Sequence, residues 1–364
     1  MSRGSVLGAL ALAAGALALG GCASLDIGYY WQSATGHIRI LQASRPVGDW
    51  IADEQTPQRL KDRLALSQRI RAFASSELRL PDNPSYRRYA DLHRSAVIWN
   101  VVAAPPFSLK LKTWCFPVAG CVGYRGYFDE AGAKAEAEVQ RKQGLEVATY
   151  PVPAYSTLGW MNWAGGDPLL NTFINYPEGE LARLLFHELA HQVLYAPGDT
   201  MFNESFATAV ERLGIQRWLA TQATEQARAD YARYDARRNQ FRALTRSTRE
   251  KLQAAYDAAG IDDTERTRRK AEALAQFRAG YAQLRVDWNL EPTRLRLTDQ
   301  WVAEANNATF GAQAAYDELV PGFEALFRSL GGDWSRFYDE CRRMAKLPKD
   351  ERHGLLKNKE KSGA

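Results

Sequence analysis

Residues 184–193 read LLFHELAHQV, and the predictions of fold and function start from this stretch. No Pro or Gly interrupts residues 181–195, so the sequence predicts a helix there. His187 and His191 are about one helical turn apart and therefore lie on one face of that helix. This spacing lets both imidazoles reach one zinc ion, while Glu188 can hold a water molecule at the metal as general base. The alternative is a helix that carries two structural histidines and an exposed glutamate without a metal.

A third ligand is available in the next segment, FNESFA at residues 202–207. A catalytic zinc takes three protein ligands and keeps one position open for water. Glu204 follows His191 beyond the connector APGD at residues 196–199, where Pro and Gly end the first helix. A second helix that begins near Asn203 and packs back on the first would present Glu204 to the metal. The sequence therefore predicts one Zn²⁺ ion held by the two histidines and Glu204.

These motifs carry a family resemblance. HELAHQ followed by NESFA resembles the zinc metallopeptidases with two His ligands and one Glu ligand, the thermolysin and membrane alanyl aminopeptidase group. The chain more closely resembles a bacterial family of predicted aminopeptidases that are envelope lipoproteins, over most of its mature length. Carried over, the resemblance implies four site residues: His187, His191 and Glu204 on zinc, and Glu188 as the base.

Glu211 lies two helical turns after Glu204, along the same face. The resemblance matches it to a glutamate of the alanyl aminopeptidases, and we expect it to accept a hydrogen bond from a ligand imidazole. A solvated helix face is the alternative.

Two departures from the resembled groups limit what transfers. The gap between the second histidine and the ligand glutamate is shorter than in the classical groups. The Gly-Ala-Met-Glu-Asn signature that reads a substrate's free amino terminus is absent. The zinc chemistry therefore transfers from the motifs, whereas the exopeptidase specificity rests on the closer family resemblance alone.

Peptide hydrolysis also needs a hydrogen-bond donor for the tetrahedral oxyanion, which is usually a Tyr or a His in the resembled groups. Tyr316 is the candidate, because it follows the ligand helices in the carboxy-terminal helical part, where such a donor could come from. A packed tyrosine is the alternative. The rival donors are Tyr124, Tyr127 and Tyr195.

The amino terminus reads as a targeting segment. The apolar run at residues 6–19 is too short to span a membrane comfortably, and it predicts a secretory signal peptide over residues 1–21. LGGC at its end resembles a bacterial lipobox, which implies cleavage before Cys22 and lipidation of its thiol. Ala23 stands where the resemblance associates Asp with inner-membrane retention, so we expect the outer membrane, facing the periplasm. The alternative is a plain signal peptide with an incidental cysteine.

Export would leave the remaining cysteines in an oxidising compartment. Cys115 and Cys121 bracket the turn-prone sequence FPVAG, which predicts a short-loop disulfide; two buried thiols are the alternative. Cys341 has no evident partner and is expected in the core of a helix.

Composition and patterning predict an α+β fold that is mostly helical. The chain of 364 residues is 46% hydrophobic, and its net charge of +5 is small for this length, so no nucleic-acid partner is expected. Strand-like runs at residues 95–103, 108–115, 121–128 and 145–152 predict one small mixed sheet before the zinc helix. The run at 121–128 is the candidate edge strand for binding a substrate backbone, as in the resembled peptidases; an ordinary paired strand is the alternative.

The chain is predicted to be nearly all helical from about Glu204. Two long segments, 224–259 and 263–288, predict an antiparallel helical hairpin that either docks a protein partner or covers the cleft. Asn306 and Asn307 either hydrogen-bond a substrate backbone or cap a helix end.

The chain is expected to divide into five segments. They are the signal peptide (1–21), a body with the sheet and the zinc helices (22–222), the hairpin (223–289), carboxy-terminal helices that complete the catalytic body (290–350), and a polar tail (351–364) whose residues 357–361 are expected to be frayed and solvated.

The predicted function is a zinc-dependent peptidase, an aminopeptidase that cleaves short peptides in the periplasm. The alternatives are an envelope endopeptidase or amidase, and a non-enzymatic lipoprotein scaffold with a structural or vestigial zinc site. Three ligands argue against the scaffold, because a structural zinc is usually closed by four protein ligands.

Overall fold

The computed structural model describes residues 27–116, 120–154, 156–314 and 318–362. The predicted signal peptide, Cys22 and the candidate oxyanion donor Tyr316 lie outside the described residues. The chain divides into two compact units, Met1–Arg39 and Ile40–Ala364. In the first unit, the described residues belong to helix α1 (Ile27–Ala43).

The described residues are mostly helical, with small sheets, which confirms the predicted fold class. After α1, the helices are α2 (Val47–Ala52), α3 (Gln58–Ser76), α4 (Glu130–Lys142), α5 (Glu178–Ala190), α6 (Thr200–Thr221), α7 (Glu225–Asp257), α8 (Asp263–Trp288), α9 (Pro292–Glu304), α10 (Asn307–Ala314), α11 (Val320–Ser329), α12 (Trp334–Ala345) and α13 (Lys349–Ser362). In the part of the chain that the structure describes, no helix is both long enough and apolar enough to cross a membrane.

The strands are short and belong to three sheets rather than one. They are β1 (Arg45–Pro46), β2 (Arg88–Ala90), β3 (Ile98–Ala104), β4 (Trp114–Phe116), β5 (Gly120–Val122), β6 (Arg125–Tyr127), β7 (Glu146–Val152) and β8 (Leu169–Leu170). Their orders are β1-β2-β8, β6-β3-β7 and β4-β5. The second sheet is antiparallel, with Asn100 of β3 opposite Tyr150 of β7.

The prediction of a single sheet was therefore wrong, for two local reasons. Most of the run 108–115 forms no strand, because its apolar side chains pack on helices instead: Leu109 joins a core cluster of the hairpin, and Leu111 lies against Gly311 of α10. The run 121–128 bends at Gly123, so that β5 pairs with β4 while β6 pairs with β3.

Helices α5 and α6 pack against each other in the main core. Leu185, Phe186 and Leu189 of α5 are fully buried. A Cβ atom on Gly214 of α6 would lie 2.9 Å from the Phe186 ring and 2.7 Å from Leu78. The glycine therefore permits a close approach of the two helices that any larger residue would push apart.

The predicted hairpin is formed by α7 and α8, with Asp262 capping α8 through the backbone N–H of Glu265. It does not stand away from the rest of the second unit. Tyr231 of α7 packs on Gly179 of α5, and Phe277 of α8 packs on Phe310 of α10. The hairpin is thus packed against helices α5 and α10 of the same unit.

The polar carboxy-terminal segment forms a helix that is held in place as far as Leu356. Leu356 of α13 is completely buried, and His353 Nε2 lies 2.9 Å from a carboxylate oxygen of Asp199. Arg352 approaches the same carboxylate at 3.5 Å. A polar sequence therefore folds here because one buried leucine and a buried carboxylate hold it. The residues after Leu356 are exposed up to Glu360, as expected for a solvated end.

The paired asparagines tie structural elements together. Asn306 donates to the Val147 carbonyl of β7 at 3.0 Å, and Asn307 accepts a hydrogen bond from the Tyr256 hydroxyl of α7 at 2.7 Å. The Asn306 side chain also accepts from the backbone N–H of Ala308, at the start of α10. Helix capping and tethering thus account for both side chains.

Candidate metal centre and adjoining cavity

Helix α5 presents the two histidines to one point. The helix ends at Ala190, and His191 continues the last turn with helical dihedral angles. The ring Nε2 atoms of His187 and His191 lie 3.1 Å apart. The predicted helical spacing therefore brings two ring nitrogen atoms close to the same point.

Helix α6 brings the third donor to that volume. It begins at Thr200, where Asp199 accepts a hydrogen bond from the Phe202 backbone, rather than near Asn203. Asn203 instead fixes the connector, because its side chain bonds both the N–H and the carbonyl of Ala196 at 2.8 and 2.9 Å. One turn into the helix, Glu204 then points back at the histidines.

The donor atoms of His187, His191 and Glu204 all lie within 4.8 Å of one another. Glu204 Oε2 is 3.3 Å from His187 Nε2 and 3.6 Å from His191 Nε2. Bonds of about 2.0–2.2 Å at tetrahedral angles would place such donors roughly 3.3–3.6 Å apart. The two separations of Glu204 from the histidines fall in this range, and the 3.1 Å between the histidines lies just below it. The nearly buried side chains are therefore close to the arrangement that one zinc ion needs.

Glu211 orients the first histidine. Its Oε2 atom lies 3.0 Å from His187 Nδ1, which directs the Nε2 atom of that ring toward Glu204 and His191. Its Oε1 atom accepts a hydrogen bond from Arg183 at 2.7 Å. Glu211 is only 4% exposed, so it does not belong to a solvated helix face.

The carboxyl groups of the site are tuned in opposite directions. Burial raises the pKa of Glu188, which suits a base that must also return its proton. Burial also opposes the charge of Glu204, but the two histidines outweigh it and hold the pKa of that carboxyl well below its usual range. Glu204 therefore remains an ionised carboxylate, while Glu188 has the environment of a proton carrier.

A cavity of about 360 Å³ adjoins this centre. Its lining includes Arg183 and Glu188 of α5, Arg242 of α7 and the end of β7 with the residues that follow, 152–154. Strand β7 is an outer strand of its sheet. The outer strand that reaches the cavity is thus β7, whereas the run 121–128, predicted as the substrate-binding edge, is not among the cavity-lining residues.

The three rival tyrosines lie in different surroundings. The Tyr127 hydroxyl donates to Glu136 at 3.0 Å, outside the cavity lining, and Tyr124 packs beside Val102. Burial, with a smaller contribution from the charge of Glu204, raises the pKa of Tyr195.

Tyr150 is a further tyrosine near Glu204 that the sequence did not single out. Burial and the charge of Glu204 raise its pKa, while the side chain of Asn100 hydrogen-bonds its hydroxyl and opposes that rise. It belongs to β7, the strand whose end lines the cavity. The predicted strand 145–152 contained this tyrosine, but only its pairing beside β3 shows that it lies near the ligand glutamate.

The structure contains a disulfide between Cys115 and Cys121, directly opposite each other on β4 and β5. A Cβ atom on Gly120 would come within 2.6 Å of the Gly198 backbone nitrogen. The cross-linked hairpin therefore rests against the connector between the two ligand helices. Cys341 is buried in α12, as expected.

Fold and site together define a mostly helical protein in which two packed helices unite an HExxH histidine pair with a glutamate. The chain belongs to the family described as putative aminopeptidase, whose model matches residues 28–356. Membership indicates that the chain is a peptidase, and it confirms the aminopeptidase part of the resemblance. No curated protein matches the chain, and no solved structure does.

Proposed function

We propose that this protein is a zinc-dependent aminopeptidase that hydrolyses short peptides. The observation that carries the proposal is the convergence of His187, His191 and Glu204 at tetrahedral separations, with Glu188 beside them. Among the described residues the group offers three such ligands, and a catalytic rather than a structural zinc site has three.

The ion would polarise the scissile carbonyl and lower the pKa of a water molecule. The protein's own residues do the rest of the work. Glu188 takes the proton of the attacking water and then delivers it to the leaving amine, for which its raised pKa is suited. Glu211 keeps the His187 ring in the orientation that turns Nε2 toward the ligand set.

We assign the oxyanion donor to Tyr150. Its hydroxyl carries a proton at neutral pH, since burial raises its pKa, and it lies within the field of Glu204. A hydrogen-bond donor held rigidly on a strand stabilises developing negative charge without reorganisation. The backbone at the end of β7 can at the same time align an extended peptide along the cavity.

The test of this mechanism is Glu188→Gln, which keeps the shape of the side chain but removes the base. We expect zinc content and fold to persist while kcat falls by about 100-fold or more. Glu250→Gln on the exposed face of α7 is the matched control and should match the wild type. A zinc-loaded Glu188→Gln protein with wild-type turnover would remove Glu188 as the base.

Free and N-acetylated peptides of one sequence separate the aminopeptidase from an endopeptidase or amidase. An aminopeptidase cleaves only the free peptide at its first bond. Equal cleavage of the blocked peptide would favour the endopeptidase, for which the absence of the Gly-Ala-Met-Glu-Asn signature is the supporting observation.

We further propose that the protein is an envelope lipoprotein anchored through Cys22, facing the periplasm. The signal-like segment 1–21 and the cysteine that follows it support this address. The Cys115–Cys121 disulfide suits an oxidising compartment. Incorporation of a labelled fatty acid should be lost in Cys22→Ala; labelling that persists would contradict the anchor.

A further inference from the structure

The two histidines of the metal centre differ in how their rings are supported. His187 lies within helix α5, and its Nδ1 atom faces Glu211 at 3.0 Å. His191 lies one residue past the end of that helix, and its Nδ1 atom is buried without a hydrogen-bond partner among the described residues. In that part of the chain, the side-chain contact that orients the first ring thus has no counterpart at the second.

The position of His191 depends on the turn that follows α5. Its backbone N–H donates to the His187 carbonyl at 3.3 Å. The next N–H, of Gln192, donates to the Leu189 carbonyl at 3.1 Å, a bond that spans three residues, as in the tighter turns that often end an α-helix. Helix ends fray, because their last carbonyl groups have no partner within the helix. A metal ligand at this place therefore needs support from outside the helix.

The side-chain amide of Gln192 is held through both its oxygen and its nitrogen. Its Oε1 atom accepts a hydrogen bond from Asn83 Nδ2 at 2.7 Å. Its Nε2 atom donates to Ser85 Oγ at 3.2 Å and lies 3.4 Å from a carboxylate oxygen of Asp167. These partners are between 25 and 109 positions away along the chain. The turn after α5 is thereby tied to two distant segments.

The groups that hold Gln192 are themselves fixed. Ser85 is fully buried, and its Oγ atom also accepts from the backbone N–H of Asp167 at 3.1 Å. The guanidinium group of Arg71, which is 1% exposed, donates to the Ser85 carbonyl at 3.1 Å and to the Asn83 carbonyl at 3.2 Å. Buried networks of hydrogen bonds rigidify the chain around them. The amide of Gln192 is therefore attached to a rigid support.

We propose that Gln192 is a positioning residue of the metal centre, which fixes the direction of the His191 imidazole through the backbone of the turn. The inference rests on the proposed zinc site and adds the means by which its second nitrogen ligand is oriented. Gln192 follows His191 directly, so restraint of its side chain restricts the peptide unit that joins the two residues. The two ligand rings are thus held differently: His187 by a carboxylate that contacts the ring, and His191 by the amide of its neighbour.

Three variants test this role. Gln192→Met keeps an unbranched side chain of similar length but removes both hydrogen-bonding groups. Asn83→Ala removes the donor to Oε1 and leaves the turn itself unchanged in sequence. Gln216→Met is the matched control, because it makes the first change at an exposed position of α6, the helix that carries Glu204.

The first measurement is zinc affinity, with circular dichroism to verify the fold. We expect Gln192→Met to weaken zinc binding about tenfold, at the lower end of the range for groups that support metal ligands. Asn83→Ala should weaken it in the same direction, and Gln216→Met should match the wild type. The double variant of Gln192→Met with Asn83→Ala should bind zinc no more weakly than Gln192→Met alone, because both changes remove the same contact.

A spectroscopic measurement separates positioning of the ligand from general destabilisation. Co²⁺ in place of zinc reports the geometry of its ligands through its visible absorption. The bands should shift in Gln192→Met and in Asn83→Ala but not in Gln216→Met. If Gln192→Met does not fold, Asn83→Ala carries the same comparison.

Two results would overturn the proposal. One is a folded Gln192→Met or Asn83→Ala protein with wild-type zinc affinity and wild-type Co²⁺ absorption. The other is a double variant whose loss of binding free energy is the sum of the two single losses, since the two side chains would then act independently. A wild type that binds zinc with the expected dependence on Gln192 but cleaves no peptide would refute the peptidase proposal and leave the positioning role standing.

Discussion

Replacing Glu211 by glutamine removes one of two acceptor atoms that hold the metal centre in order. Oε1 of the carboxylate accepts from Arg183 and Oε2 faces His187 Nδ1. An amide of the same shape has one oxygen and one NH₂ group, so it can serve only one of these donors. The remaining donor then faces the NH₂ group of the amide, which cannot accept its hydrogen bond. Where that donor is His187, the ring loses the partner that fixes its orientation.

The structure sets the size of this effect. Burial raises the pKa of Glu211, but Arg183 and His187 outweigh it and bring the pKa from its ordinary 4.5 to about 2. At about 1.4 kcal/mol per pKa unit, the net effect of these contacts and of burial favours the carboxylate by roughly 3.5 kcal/mol. Loss of the partner that orients His187 should lower zinc affinity about tenfold, at the lower end of the 10–100-fold range for residues that orient metal-bound histidines.

The assay is a zinc titration against a chromogenic chelator, with circular dichroism to verify the fold. Glu250→Gln, exposed on α7, is the control for a simple loss of charge. We expect Glu211→Gln to weaken zinc binding at least tenfold and the control to leave it unchanged. Unaltered affinity in a folded Glu211→Gln protein would refute the assignment of Glu211 to the metal site.

Two further predictions follow from contacts around the site. Burial raises the pKa of Asp199, but hydrogen bonds from His353 and from the Phe202 backbone lower it overall, so its stabilising effect is complete above about pH 4 and is lost as the pH falls further. Urea unfolding should therefore place Asp199→Asn about 1–3 kcal/mol below the wild type at about pH 5, with a smaller gap near pH 3; a constant gap would contradict the ion pair. Tyr150→Phe should lower kcat by about 100-fold with little change in KM, whereas Tyr127→Phe should not. Equal kcat in both variants would exclude Tyr150 as the donor.

The convergence of His187, His191 and Glu204 was predictable because its information is local. The HELAH spacing needs only a helix, and Glu204 needs only a turn and a second helix behind it. The hairpin was predictable for the same reason. Its two long helical segments and the cap at Asp262 can each be identified from residues that are neighbours in the sequence. These features depend little on distant parts of the chain.

Features that depend on distant partners could not be read from the sequence. The run 108–115 has strand-like composition, but Leu109 and Leu111 find helices to pack on rather than a strand to pair with. The helix α13 is held by the contact of His353 with Asp199, which is 154 positions away. Its polar sequence alone favours a loose end.

The residues that line the cavity also could not be predicted from the sequence. Arg242 is one of many arginines on α7, and its sequence position does not distinguish it from exposed Arg246. Only the packing of the hairpin on α5 places Arg242 in the cavity wall that also contains Glu211. Tyr150 was likewise hidden, because strand pairing rather than spacing places it near Glu204.

The most direct test of the account is the zinc content of the purified chain, measured by elemental analysis after loading and exhaustive dialysis. Two imidazoles and a carboxylate at these separations predict one zinc ion per wild-type chain. The Glu204→Ala protein, folded by circular dichroism, should retain well under half of that. A wild type that keeps no zinc, or a Glu204→Ala protein that keeps a full equivalent, would contradict the metal centre.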